Sequence, residues 1–273
     1  MKKIGILFLG LISAFSFSQN TRFVYQVSMK TDSTAAPKIE NAYLDISTEK
    51  SIFYGEKRMK RDSTIRQAME TRNFNFDRNS MEQFRTAITY SIEKNHATKT
   101  ISYKDRIARD QYWYDEDRTF TWKILPETIK IGEYETQKAE TNFAGRKWFA
   151  WFAQDLPFTD GPYKFSGLPG LIVKVEDEKG DYSFDLKETK KIAELPNFES
   201  RFGNNIKVKR SEFLKQQEKF NKDPMSFFQN QGGGFAMRMG GNQNPQNEAE
   251  RRKMMEERLK EEAKANNNPL EKN

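Results

Sequence analysis

Phe23, Tyr25, Val27 and Met29 alternate with Arg22, Gln26 and Ser28, the two-residue period of a strand with one face buried. The alternation returns at Ala42, Leu44 and Ile46, at Ile88, Tyr90 and Ile92, at Phe120, Trp122 and Ile124, and at Trp148, Ala150 and Phe152. Leu171, Val173 and Val175 then face Tyr182, Phe184 and Leu186 across a turn from Asp177 to Gly180, which predicts a hairpin. No helical period separates these runs before residue 190, so the pattern argues for an antiparallel meander and against a βαβ fold. The fold class is mainly β: a strongly curved antiparallel sheet or half-barrel with a few short C-terminal helices.

Past Lys209 the period lengthens. Ser211 is placed to cap a helix carrying Phe213, Leu214 and Phe220, and Asp223-Pro224 to open a second with Met225, Phe227 and Phe228. Gly232, Gly233 and Gly234 end regular structure, and Gln229 to Asn247 is rich in Gly, Asn and Gln. Glu248 to Ala265 is charged, with Glu256 and Lys260 four apart. The expectation is one domain over residues 19–228, with 229–273 a disordered linker and a charged, helix-prone tail outside it. At the other end, Lys2 and Lys3 precede an apolar run from Ile4 to Phe17 that closes on Ser16 and Ser18. That run is shorter than the ~20 residues a bilayer requires. It reads as a signal peptide over residues 1–18, cut before Gln19. The chain is therefore expected to be exported, periplasmic or secreted, with no transmembrane segment after cleavage.

Composition sharpens this. Only 36% of residues are hydrophobic against 31% charged, with aromatics at 13% supplying much of the core. No cysteine and a single histidine exclude disulfides, thiolate metal sites, Cys nucleophiles and most His-based chemistry. The net charge of +7 is modest. Its densest cluster, Lys57, Arg58, Lys60, Arg61 and Arg66, reads as a solvated strand or loop face, and nucleic acid is not an expected partner.

The most informative stretch runs from Gly145-Arg146-Lys147-Trp148 through Gly161-Pro162-Tyr163-Lys164-Phe165 to Gly167-Leu168-Pro169-Gly170-Leu171-Ile172. Pro169 and Gly170 suit the two central positions of a type II turn. Leu, Pro and Gly carry no chemistry, so the loop is read first as a core-plugging connection and second as a ligand lip or docking edge. With the upstream Tyr134, Gln137, Lys138 and Ala139, these residues resemble the GLPGLI family of exported Bacteroidetes-type proteins, in detail over roughly residues 120–190. Many relatives carry a cysteine where this chain has Thr136. The resemblance implies an exported address and a sheet-rich domain, and transfers no catalytic residue, because no activity is established for the family.

Candidate chemistry is sparse. Asp155 and Asp160 beside Trp151, Phe158 and Tyr163 superficially suit glycoside hydrolysis, though Asp160 before Gly161-Pro162 is explained by a turn. His96 has no sequence partner, and no nucleophile elbow, phosphate loop or zinc helix occurs. Met237, Met239, Met254 and Met255 are candidate thioether ligands for Cu(I), against the ordinary use of Met as an adaptable packing residue. A curled sheet offers an apolar concave face, with Trp148, Phe152, Phe165 and Leu168 and the loop Gly167, Pro169 and Gly170 as candidate contacts, and the helices over 211–228 as plug or lid. The chain is thus expected to be a non-enzymatic binding or carrier module for an apolar ligand or envelope component, needing no cofactor. The alternative is an accessory factor of an outer-membrane system that docks a protein through its sheet edge, its loop or its tail.

Overall fold

The computed structural model describes residues 20–73, 83–198, 203–224, 227, 253–254, 256–261 and 264–272. The expected leader and Met225, Phe228, Met237, Met239 and Met255 lie outside them. Twelve strands follow one another: β1 (Asn20–Met29), β2 (Lys38–Ile46), β3 (Lys50–Gly55), β4 (Ser91–Asn95), β5 (Ile101–Ile107), β6 (Asp110–Asp115), β7 (Lys123–Ile131), β8 (Tyr134–Phe143), β9 (Arg146–Ala153), β10 (Leu171–Asp177), β11 (Tyr182–Ile192) and β12 (Asn205–Lys207). Among the described residues, helix α1 (Glu56–Thr71) lies between β3 and β4 and α2 (Arg210–Lys222) follows β12, and residues 256–261 are also helical.

All twelve strands form one sheet in the order β12-β6-β5-β4-β3-β2-β1-β11-β10-β9-β8-β7. Two meanders, β1 to β6 and β7 to β11, meet where β1 pairs with β11, and every pairing is antiparallel except β12 on β6. The sheet does not close into a barrel. Strand alternation sorts the faces. Along β9, Trp148, Ala150 and Phe152 are buried on the inner face while Lys147, Phe149 and Trp151 look outward. There Trp151 has the ammonium groups of Lys138 and Lys174 at 5.8 and 5.1 Å from its ring, a cross-strand cation–π comb over β8, β9 and β10.

The β9–β10 connection, residues 154–170, runs across the inner face and packs its rings against it. Phe158 meets Phe23 of β1 edge-on at 5.3 Å, and Tyr163 stands against Tyr90 at 5.7 Å and Phe184 at 6.2 Å. Lys94 of β4 reaches up from the sheet to Asp160 and to the carbonyls of Gly161 (2.5 Å) and Phe165 (3.0 Å). This single connection touches strands from both meanders, so the rings interlock around it in one core.

Several expectations shift. Phe120 and Trp122 precede β7 and wedge their rings against Phe165 at 6.0 and 5.9 Å. Aromatics two apart mimic a strand, but their neighbours here are the plug and not a ladder. The basic cluster at 57–66 lies on α1, a helix with no apolar stripe that periodicity therefore cannot see. It is supported by i,i+4 pairs, Lys60–Glu56 at 2.8 Å and Arg58–Asp62 at 3.8 Å, and Arg58 is buried over the Phe198 ring at 4.7 Å. At α2 the N-cap is Lys209, whose backbone N–H donates to Glu212 (3.1 Å), and Ser211 is already inside the helix. Phe213 of α2 packs on Tyr103 and Tyr114 of β5 and β6, so the helix builds a second small core and is not a lid over the first. The tail also departs from its expected independence: residues 267–272 lie against the sheet, with Asn268 buried.

Candidate functional site

The loop Gly167 to Gly170 is built by backbone demands. The Gly170 N–H donates to Leu168 O (2.8 Å) in a three-residue turn about Pro169, and the Leu171 N–H goes to Leu156 O (3.1 Å). The expected type II turn, which would spend the Leu171 N–H on Leu168, is therefore not formed. Gly170 has φ +151°, and a Cβ there would stand 2.2 Å from Ala153 O. Gly167 has φ +92° with nothing within 4 Å.

Trp148, Phe152, Phe165 and Leu168 do converge, each no more than 1% exposed, but on one another. The Phe165 ring lies 4.9 Å from Trp148 and 6.0 Å from Phe143 and Tyr163. Gly167 and Pro169 are exposed at the outside of the plug, and Gly170 is buried beneath it. The acid pair is not brought together either. Asp155 is exposed, whereas Asp160 is buried on Lys94 and accepts the Gly161 N–H (2.7 Å). His96 gains a partner that the sequence hid, with Nε2 3.7 Å from Asp160 and Nδ1 3.3 Å from Thr48 O. Burial opposes the charge on Asp160, but Lys94 and His96 outweigh it and hold the carboxyl near about 2. Met254 is described and 54% exposed. Among the described residues no three of His, Cys, Asp and Glu are grouped to hold a metal.

The richest polar constellation lies at the rim, between the plug, the β8–β9 turn, the β10–β11 turn and the end of β1, and an extended piece of the chain itself occupies it. Arg146, the first residue of β9, donates to Asn268 Oδ1 (2.7 Å), Pro269 O (2.8 Å) and Leu270 O (3.0 Å), and also to Asp177 (2.6 Å) and Asp181 (3.2 Å). Tyr182 Oη donates to Asn268 O (2.6 Å), Asn268 Nδ2 to Lys30 O (2.7 Å) and the Asn268 N–H to Thr31 O (2.8 Å). Three residues on, Glu271 receives Lys164 Nζ (2.6 Å), Tyr163 Oη (2.5 Å) and Arg118 Nη2 (2.7 Å). Leu270 packs on the core between them. The Lys272 N–H donates to Ala144 O (2.8 Å), beside a shallow cavity of about 240 Å³ lined by Asn142 to Lys147.

Arg146 and Lys164 belong to the motif stretch, where residue type alone assigns them no role. Asn268 and Glu271 sit in a polar stretch whose composition argues for solvent. Only the periodic placement of Arg146 on the inward face of β9 hinted that its charge needed a buried partner.

Electrostatics make the docking pH-dependent. Burial opposes ionisation of Glu271, but Lys164, Tyr163 and Arg118 outweigh it and keep the carboxyl below the usual range. A group lowered by docking stabilises the docked state above its free value of about 4.3 and loses that contribution as pH falls through the docked value. The protection factor of the Asn268 amide against hydrogen exchange is expected to stay high from pH 8 to about pH 5 and to fall below the free carboxylate range. Glu271→Gln is expected to weaken protection at neutral pH and to shrink this acid step, Asp181 beside Asn268 keeping part of it, and an unchanged step in that variant would refute the assignment. Tyr163→Phe removes one hydroxyl donor and is expected to cost docking about 1 kcal/mol by the same exchange measurement.

Comparison with known proteins adds a family likeness over one segment and a fold likeness over most of the chain. Residues 142–174 match the family described as "Protein of unknown function (Porph_ging)". The matched span holds Arg146, the plug with Lys164, and the turn at Gly170, which are the residues that shape the cleft and the inner face. No curated protein matches the chain. Among solved structures, two of PNGF-II are similar, in the P21 and C2 space groups, each with a TM-score of 0.51 and with 18% and 17% identity. The likeness covers 72% of this chain but 33% and 32% of those chains, so this chain spans about a third of their length and shares with them the fold alone.

Proposed function

We propose that the chain is an exported, non-catalytic interaction module of the GLPGLI type, which works by holding an extended polypeptide segment in the rim cleft. The observation that carries this reading is the grip on residues 267–272. It spends Arg146, Lys164, Tyr163 and Tyr182 on main-chain carbonyls, one amide side chain and one carboxylate, which is the chemistry of peptide recognition. The aromatic face that an apolar cargo would need is taken up by the plug, which favours docking over carriage. Export rests on the leader pattern at residues 1–18.

Native mass spectrometry of the mature chain, residues 19–273, purified without added ligand, is expected to give the mass of the protein alone. A photo-cross-linker at Lys147, a partly exposed position beside the cleft, is expected to yield a discrete adduct with another envelope protein in cells. A stoichiometric apolar molecule in the mass spectrum, with no adduct at Lys147, would replace this reading by the carrier one.

A further inference from the structure

Resting on that reading, we propose that the rim cleft is an exchangeable receptor for a partner protein's extended segment bearing Asn and, three residues later, a carboxylate, and that residues 267–272 are its resident occupant.

The contacts define what the cleft reads. Three polar side chains of the segment are recognised: Asn267 by the Ser33 N–H (2.9 Å) and Asp32 (2.9 Å) at the exposed entrance, Asn268 by Arg146 and Lys30 O, and Glu271 by Lys164, Tyr163 and Arg118. At Pro269 the cleft takes only the carbonyl, and at Leu270 the carbonyl and an apolar contact. A foreign segment repeating Asn-x-apolar-acid therefore meets every buried donor the resident one does, lacking only the exposed Ser33 N–H that Asn267 takes, and Pro at the second position favours the extended backbone without leaving an N–H unpaired.

The cleft also remains intact when the segment leaves. Arg146 keeps Asp177 (2.6 Å) and Asp181 (3.2 Å) and lies over the Tyr182 ring at 4.7 Å. Lys164 keeps Glu116 (2.5 Å) and Tyr114 Oη (3.1 Å), and Arg118 keeps Glu116 (2.7 Å). Burial opposes ionisation of Glu116, yet Arg118 and Lys164 hold it near about 2, so this internal pairing persists across the neutral range. Departure orphans no buried charge of the domain, and this separates an exchangeable occupant from a core element.

Chain length allows the exchange. Residues 223–266 separate α2 from the docked segment, and each contributes up to about 3.3–3.6 Å of reach. An identical tail from a second copy makes the same contacts and adds the cost of association, while the resident tail acts at an effective concentration on the order of millimolar. The ligand that displaces it is therefore a foreign segment with a better fit, not another copy.

The test uses the full mature chain and a fluorescein-labelled synthetic peptide of residues 264–272. Asn268→Ala/Glu271→Ala disables the resident tail and leaves every cleft residue in place. Fluorescence anisotropy is expected to give a Kd at least about tenfold lower for this variant than for the wild-type chain. Replacing either the Asn or the Glu in the peptide, or Tyr163 by Phe in the tail-disabled protein, is expected to weaken binding severalfold. In the wild-type chain, millimolar peptide is expected to speed hydrogen exchange at the Asn268 amide, an arm that needs no variant to fold. No peptide binding to a folded tail-disabled chain, or no change in Asn268 exchange under millimolar peptide, would overturn the proposal. So would a wild-type dimer by light scattering that the double substitution abolishes, which would make a second copy the occupant. An adduct at Lys147 in cells alongside a cleft that takes no peptide would leave the interaction reading standing and sink this inference alone.

Discussion

Gly170→Ala is expected to destabilise the chain by more than about 4 kcal/mol, the exceptional end of single substitutions. A Cβ at this position meets Ala153 O at 2.2 Å, Ala153 C at 2.7 Å and Gln154 Cα at 3.0 Å, all backbone atoms at the end of β9. They cannot swing away as a side chain does. Relief means moving β9 against β10, where Leu171 and Ile172 pair with Ala153 and Phe152 and the plug is anchored. The φ of +151° adds a conformational cost of its own. Gly167→Ala is the internal comparison: its φ of +92° is also unfavourable for alanine, but the space is open, and the expected loss is about 1–2 kcal/mol. Urea midpoints of the two variants measure the contrast, and a Gly170→Ala chain within about 1 kcal/mol of wild type would refute the close approach. The two outer glycines of this loop thus answer different demands, one a backbone angle and the other a contact.

The second large effect is expected at the foot of the plug. Asp160→Ala should cost about 3–5 kcal/mol, because Lys94 is then left buried without its counter-charge. Lys94 is 5% exposed in its side chain and Asp160 7%, so solvent screens little of the pair. The Gly161 N–H loses its acceptor at the same time (2.7 Å). Lys94→Met with Asp160→Ala should lose less than the sum of the single changes, since the apolar stem then ends without a stranded ammonium. Additive losses in urea denaturation would mean that the pair is not coupled. The sign with pH follows from Asp160 being held near about 2. Its contribution is full above the unfolded value of about 3.9 and is lost as pH falls through about 2. His96 works the other way: Asp160 raises its pKa above the ordinary value. Whatever it contributes is present below its unfolded value of about 6.5 and fades as pH rises through the folded one.

About half of the sheet was legible, because strands with one wet face write a two-residue period. β1, β9 and the hairpin of β10 and β11 fall where Phe23 to Met29, Trp148 to Phe152 and Leu171 to Leu186 alternate. β3, β5, β6, β8 and β12 were not read as strands, and β5 and β6 show why. Their residues mix Lys104, Asp105 and Arg106 with Tyr103 and Ile107, and Asp105 is buried beside Thr89, so the inward face is partly polar and the period fades. α1 was illegible for the complementary reason, since its stability rests on ion pairs and on one buried arginine and not on an apolar stripe. The cleft was the least legible, because it joins residues more than 100 positions apart, Arg146 with Asn268 and Lys164 with Glu271.

The sequence by itself determined the mainly β class, the central hairpin, the turn-rich connection and the absence of thiol chemistry, because each depends on local period or on residue type. Tertiary structure alone decided that the connection lies across the sheet as a plug, that Arg146 and Lys164 are buried, and that a polar stretch near residue 270 is seated between them. Those outcomes follow from charges finding partners far along the chain. A buried cation requires an anion or carbonyls near it in space, and no pattern of neighbours in sequence records which ones it will find.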